Sequence, residues 1–173
     1  MINSTIWGNS ASYDGGAIST AIATLTVQNR TIWGNSASYD GGGLYSTTSS
    51  PTLTGLTVYG NTAGRYGGGL YANGFPCPGI TNSIFWNNSA PTGAQVMNDS
   101  CGGFSLTYSL VQGGYAGAGN INADPRFCGW DDAGEVFVDG AAPAPGDGTA
   151  AHPFTALASA FQFDYALAAG LSP

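Results

Sequence analysis

Lysine is absent from this chain, and its cations amount to Arg30, Arg65 and Arg126. Charged residues of both signs make up 8% of the 173 positions, against about a quarter in ordinary soluble domains. The net charge is −7. Nucleic-acid binding needs basic clusters that displace counterions, and none exists here. A basic membrane-surface patch is excluded on the same ground. No stretch approaches the roughly 18 consecutive apolar residues of a membrane span, so no membrane insertion is expected. There is one histidine, His152, which precedes a proline and reads as a turn residue. Gly146-Asp147-Gly148-Thr149 lacks the lysine of a phosphate-binding loop.

What remains is Gly, Ser, Thr and Asn, so the surface must be wetted by hydroxyls, amides and backbone. Such a composition also suits low-complexity disorder. Regularly spaced aliphatic and aromatic residues through the first 130 positions argue instead for an ordered chain. Met1-Ile2-Asn3-Ser4-Thr5 already lies inside a repeat unit. Both ends are therefore expected to be cut from a longer protein, with any signal or anchor elsewhere.

The repeat is explicit. Ile6-Trp7-Gly8-Asn9-Ser10-Ala11-Ser12-Tyr13-Asp14-Gly15-Gly16 returns 26 residues later as Ile32-Trp33-Gly34-Asn35-Ser36-Ala37-Ser38-Tyr39-Asp40-Gly41-Gly42. A third copy starts at Val58-Tyr59-Gly60-Asn61, a fourth at Ile84-Phe85-Trp86-Asn87 and a degraded fifth at Leu110-Val111. Counted this way the period stays at 26, which predicts that no insertion shifts the register. Each unit carries several glycines, many Thr, Ser and Asn, and few helix formers. Short alternating runs such as Thr24-Leu25-Thr26-Val27 are punctuated by Gly and Asn, which is strand-and-turn chemistry.

These features predict an all-β, right-handed parallel β-helix of about five 26-residue rungs over residues 1–130. An irregular C-terminal cap, or the start of a further module, is expected over 131–173. Rungs about 4.8 Å apart place equal repeat positions on top of one another. One column is aliphatic and inward: Ile6, Ile32, Val58, Ile84, Leu110. The column before it is hydroxyl: Thr5, Thr31, Thr57, Ser83, Ser109. The column after it is aromatic and, by alternation, outward: Trp7, Trp33, Tyr59, Phe85. Three residues past the aliphatic stands an amide column, Asn9, Asn35, Asn61 and Asn87, expected to pass hydrogen bonds from rung to rung at a bend.

The Ile-x-x-Asn units together with Gly15-Gly16-Ala17-Ile18 resemble the paired GGAI and FxxN repeats of chlamydial polymorphic outer-membrane proteins. They also resemble bacterial right-handed β-helix repeat proteins of the pectin-lyase-like superfamily, and the resemblance covers about residues 1–130. Asn120-Ile121-Asn122-Ala123-Asp124-Pro125-Arg126-Phe127 is similar to a segment that follows the last rungs in such secreted proteins. The resemblance implies an extracellular or outer-membrane surface location and a binding or scaffold role. Host or cell-surface molecules are the partners such binding implies; the open strand edges at the stack ends must be capped or joined to more rungs, so further rungs of the same parent chain are also expected.

Three groups of residues can carry chemistry. The aromatic row Trp7, Trp33, Tyr59 and Phe85 suits sugar rings, which stack on aromatic faces; an aromatic ladder covered by a second layer is the alternative. Asp14 and Asp40 share a column, as carboxylates around a Ca²⁺ ion would, although an exposed Asp-Gly turn explains the same residues. No other cofactor is expected. Cys77, Cys101 and Cys128 fall within one or two columns of each other on successive rungs. A Cys77–Cys101 disulfide is feasible there and would fit an oxidising compartment, with free buried thiols as the alternative. A carbohydrate-active enzyme, a lyase or glycoside hydrolase of the same architecture, is the competing reading. It needs converging acids and a cation. Most acids, Asp124, Asp131, Asp132, Glu135, Asp139, Asp147 and Asp164, lie beyond the regular rungs.

Overall fold

A computed structural model describes residues 2–23, 25–125 and 127. The chain divides into two compact units, Met1–Ala123 and Asp124–Pro173. The second unit lies almost wholly outside the described residues. So do Cys128, His152, the Gly146–Thr149 segment and the expected cap over 131–173.

The first unit is a parallel β-solenoid of the right-handed β-helix class with about four turns. The first rung carries β1 (Ile2–Trp7), β2 (Ser10–Ala11) and β3 (Ile18–Ala21). The second carries β4 (Thr26–Trp33), β5 (Ser36–Ala37) and β6 (Leu44–Thr47), and the third β7 (Thr52–Tyr59), β8 (Thr62–Ala63) and β9 (Leu70–Asn73). The fourth carries β10 (Gly79–Thr81), β11 (Ile84–Trp86) and β12 (Val96–Asp99). A partial fifth adds β13 (Ser105–Thr107) and β14 (Leu110–Val111).

Equal strands stack into three parallel sheets. One long sheet runs β1-β4-β7-β10-β13, with β11 joining β7 to β14; the others run β2-β5-β8 and β3-β6-β9-β12. Every strand pair is parallel and pairs equivalent positions of neighbouring rungs. Alternation sends one set of side chains into the solenoid. Val27, Ile32, Leu53, Leu56, Val58, Ile80, Phe85, Leu106 and Val111 come from the long sheet and meet Leu44, Leu70 and Ala72 from the β3-β6-β9-β12 sheet.

Corners are made by left-handed backbone. The long strands bend at Asn29 (φ 52°) and Gly55 (φ 65°), and in the fourth rung Asn82 (φ 51°) separates β10 from β11. After the outward aromatic, a second corner stands at Gly8, Gly34 and Gly60, with φ between 60° and 66°, and at Asn87 with φ 52°. Glycine and asparagine are the residues that adopt this conformation at least cost.

The register departs from a constant 26. Asn73 pairs with Thr47, but Gly79 pairs with Thr52, so one extra residue lies between Asn73 and Gly79. Ser89 bridges Thr62 and Thr92 bridges Tyr66, so one residue fewer lies between Ser89 and Thr92. Between these two points the fourth rung runs 27 residues behind the third. Ile84 therefore pairs with Thr57, Phe85 with Val58 and Trp86 with Tyr59. This overturns four expected assignments. Phe85 is a fully buried core residue rather than an outward aromatic. Ile84 leaves the inward column, and Asn87 occupies the glycine corner rather than the amide ladder. Ser83 likewise does not follow Thr57; it is buried, and its Oγ accepts the Leu56 N–H at 3.1 Å.

Candidate functional site

The outward side of the long sheet brings together Trp7, Trp33, Tyr59 and Trp86, one from each of β1, β4, β7 and β11. Thr5, Thr31 and Thr57 stand two residues earlier on the same strands and on the same side, so a hydroxyl row runs beside the aromatic row. In the fourth rung Ile84 ends that hydroxyl row. The Trp7 and Trp33 rings are stacked, with centroids 5.3 Å apart and planes 5° from parallel. Stacking along the pile means that neighbouring rings cover part of each other's faces. Trp7 is the member most open to solvent, at 61%, while Trp33, Tyr59 and Trp86 are half-buried. Asn87 Nδ2 donates to the Tyr59 hydroxyl at 3.3 Å, which braces the row at its fourth-rung end.

Beside the row runs the amide ladder that makes the next corner rigid. In each step the backbone N–H and Nδ2 of one Asn donate to Oδ1 of the Asn below: Asn9 to Asn35, Asn35 to Asn61 and Asn61 to Asn88, at 2.9–3.0 Å. Each buried amide also returns a hydrogen bond to a carbonyl of the rung above. Asn35 donates to Ile6, Asn61 to Ile32 and Asn88 to Val58. The asparagines of the ladder end at Asn88: Gln95 Oε1 accepts from Asn88 Nδ2 at 2.8 Å, and Gln95 Nε2 donates on to Gln112 Oε1 at 3.0 Å.

A second polar and aromatic cluster lies at the corner that precedes the β3-β6-β9-β12 sheet; reading the columns did not single it out. Tyr13 stacks on Tyr39 at 5.7 Å, and the Arg65 guanidinium lies over the rings of Tyr39 and Tyr66 at 5.6 and 5.1 Å. Tyr45 stacks on Tyr71, which stacks on Tyr66. The signal was available: Tyr13, Tyr39 and Arg65 are 26 apart, as are Tyr45 and Tyr71. Arg65 holds both carboxylate oxygens of Asp40, Nε to Oδ1 at 2.9 Å and Nη2 to Oδ2 at 2.6 Å. This charge-assisted fork raises the guanidinium pKa further above its ordinary value. Burial, with Asp99 and Asp40 nearby, pushes the Tyr71 hydroxyl up to about 12, and burial with Asp14 raises that of Tyr45.

Asp14 and Asp40 are one rung apart, as their column requires. Asp14 Oδ1 accepts the Asp40 N–H at 3.0 Å, while Asp40 is nearly buried and committed to Arg65. The pair thus braces a corner, with three of its four carboxylate oxygens engaged in hydrogen bonds. Among the described residues, no three His, Cys, Asp or Glu side chains converge as metal ligands would. Cys77 and Cys101 are joined by a disulfide, with Cα atoms 5.2 Å apart. It ties the extra-residue loop after β9 to the equivalent loop one rung below. No family model, no curated protein and no solved structure matches the chain.

Proposed function

We propose that this chain is a scaffold or adhesin-like module of a secreted or cell-surface β-helix protein, and that it contacts glycans through its aromatic row. One observation carries the reading. Trp7, Trp33, Tyr59 and Trp86 line up in register on one outward face with a threonine row beside them. Sugars present apolar C–H faces and hydroxyl rims, and a surface that alternates aromatic and hydroxyl columns offers a partner to each. Trp7 is the most exposed member of the row in this chain, and the half-buried Trp33, Tyr59 and Trp86 contribute their outward edges.

The location rests on the Cys77–Cys101 bridge, since disulfides persist in oxidising compartments. It also rests on the resemblance to chlamydial polymorphic outer-membrane repeats and to pectin-lyase-like β-helix proteins, which makes a bacterial surface the proposed setting. The partners are host or cell-surface glycans and further rungs of the same parent chain. Nucleic acid and bilayer are not proposed partners, for the chain is acidic and has no lysine. The contact requires no cofactor.

A glycan array probed with the folded chain tests the reading. Binding to neutral or uronate-containing glycans is expected, weakened at least tenfold in Trp7→Ala and less in Trp33→Ala. Equal binding by both variants and the parent overturns the role of the row. Release of shortened products from a bound polysaccharide would instead establish the carbohydrate-active enzyme.

A further inference from the structure

The largest fully buried side chain of the solenoid is a charged one, Arg30, exposed by only 2%. Residue 30 follows the bend at Asn29 and points inward, between Val27 and Ile32 of its own strand. Register places Ser4 above it and Leu56 below it. Among the described residues, none of its three guanidinium nitrogens has a hydrogen-bond partner. The other cation with described surroundings, Arg65, behaves oppositely: it lies at the surface and grips Asp40 with two hydrogen bonds.

A guanidinium cannot shed its proton in a protein, so burial leaves Arg30 charged. A buried unpaired ion costs several kcal/mol, and removing water from it is the larger part of that cost. The acids of the solenoid are committed elsewhere. Asp14 accepts the Asp40 N–H, Asp40 pairs with Arg65, and Asp99 accepts from Tyr71 and Ser100. Thr20, Ser46 and Ser49, also buried in the first two rungs, are hydroxyls that carry no charge.

We propose that Arg30 is an internal anion site, which takes a small planar monovalent anion of the carboxylate class into the solenoid beside the first rung. Two parallel N–H···O bonds from a guanidinium match a carboxylate edge, and the pair leaves no net charge in the interior. The small Ser4 above is the side from which such a ligand is accommodated, since Leu56 fills the column below. The anion is then a structural ligand that stabilises the second rung and is distinct from the surface aromatic row.

Sodium formate is the probe, and sodium gluconate at equal ionic strength is the control, because its carboxylate is too bulky to enter. The thermal midpoint of the parent is expected to climb with the logarithm of formate concentration and to stay flat in gluconate. Arg30→Leu, which repeats the side chain of Leu56, is expected to abolish the formate response while folding at least as well in gluconate. Line broadening of ¹³C-formate by the parent, saturable at one equivalent, reads binding without any variant. Equal midpoints of the parent in the two salts, or a formate response retained by Arg30→Leu, or no saturable broadening, overturns the proposal.

Discussion

Phe85 lies directly beneath Val58, 27 residues away in the chain rather than 26, and both are fully buried. That single-residue offset decides which of two adjacent aromatics belongs to the core and which to the surface. Phe85→Ala is expected to cost about 3–5 kcal/mol, as large-to-small core substitutions do. Trp86→Ala, at the half-buried outward position, should cost far less. Urea denaturation of both variants checks this, and the opposite ranking would restore the constant 26-residue frame.

The same offset separates two asparagines that look equivalent. Asn61 Nδ2 donates to Asn88, Ile32 and Tyr59, and its Oδ1 accepts twice from Asn35. Asn61→Ala strands several buried groups, each costing about 1–3 kcal/mol, so a loss of at least about 3 kcal/mol is expected. Asn87 sits at an exposed left-handed corner where other rungs have glycine. Asn87→Gly should change stability by no more than about 0.5 kcal/mol, since nothing buried depends on it. Chemical denaturation of the two variants side by side measures the contrast.

The disulfide closes a loop across 24 residues. Its chain-entropy contribution is about 3 kcal/mol. Reduction with dithiothreitol, or Cys77→Ser with Cys101→Ser, is expected to lower the unfolding free energy by about that amount. Calorimetry with and without reductant would show it, and an unchanged midpoint would mean that the fourth rung is held by its hydrogen bonds alone.

Tyr71 gives the alkaline limit of stability a specific source. Its hydroxyl, 3.4 Å from Asp99 Oδ2, is pushed up to about 12 from 10.0. Below pH 10 the phenol is neutral in both folded and unfolded chains and contributes no pH dependence. Between about 10 and 12 the unfolded chain ionises first, so it binds fewer protons and stability falls as pH rises. Tyr71→Phe removes that part of the fall. Denaturation midpoints of parent and variant at pH 9 and 11.5 test it, and parallel losses would assign the alkaline limit to other groups.

Much of this was legible in the amino-acid order. The first three rungs are near copies, so their columns, the Asn9–Asn35–Asn61 ladder and the Trp7–Trp33–Tyr59 row could be read by subtraction. The proximity of Cys77 and Cys101 could be read the same way. The fourth rung misled because its extra residue before Gly79 and its missing one after Ser89 compensate, so the spacing at both ends stays at 26. Ile84 and Asn87 then fell on columns whose residue types they happen to match. Arg30 escaped notice for another reason: alternation counts apolar residues, and a lone charge between Asn29 and Thr31 reads as surface. The Asn29 bend is what turns it inward. The Tyr39–Arg65–Asp40 corner joins residues from two adjacent columns, and column-by-column reading does not look across them.

Gln95 bears on how such a chain can change length. The amide ladder has a direction: each rung's Asn donates to the Asn of the rung that follows. One further coil copied from the second rung and spliced between the second and third would find a donor above and an acceptor below, and the seam would be invisible. The same coil spliced after the fourth would meet Gln95 already occupying the Asn88 amide, with Gly114 in the place where the next asparagine is due. Duplication is therefore permitted in the upper part of the solenoid and blocked in the lower, so length variants of this architecture should differ in the number of their early coils.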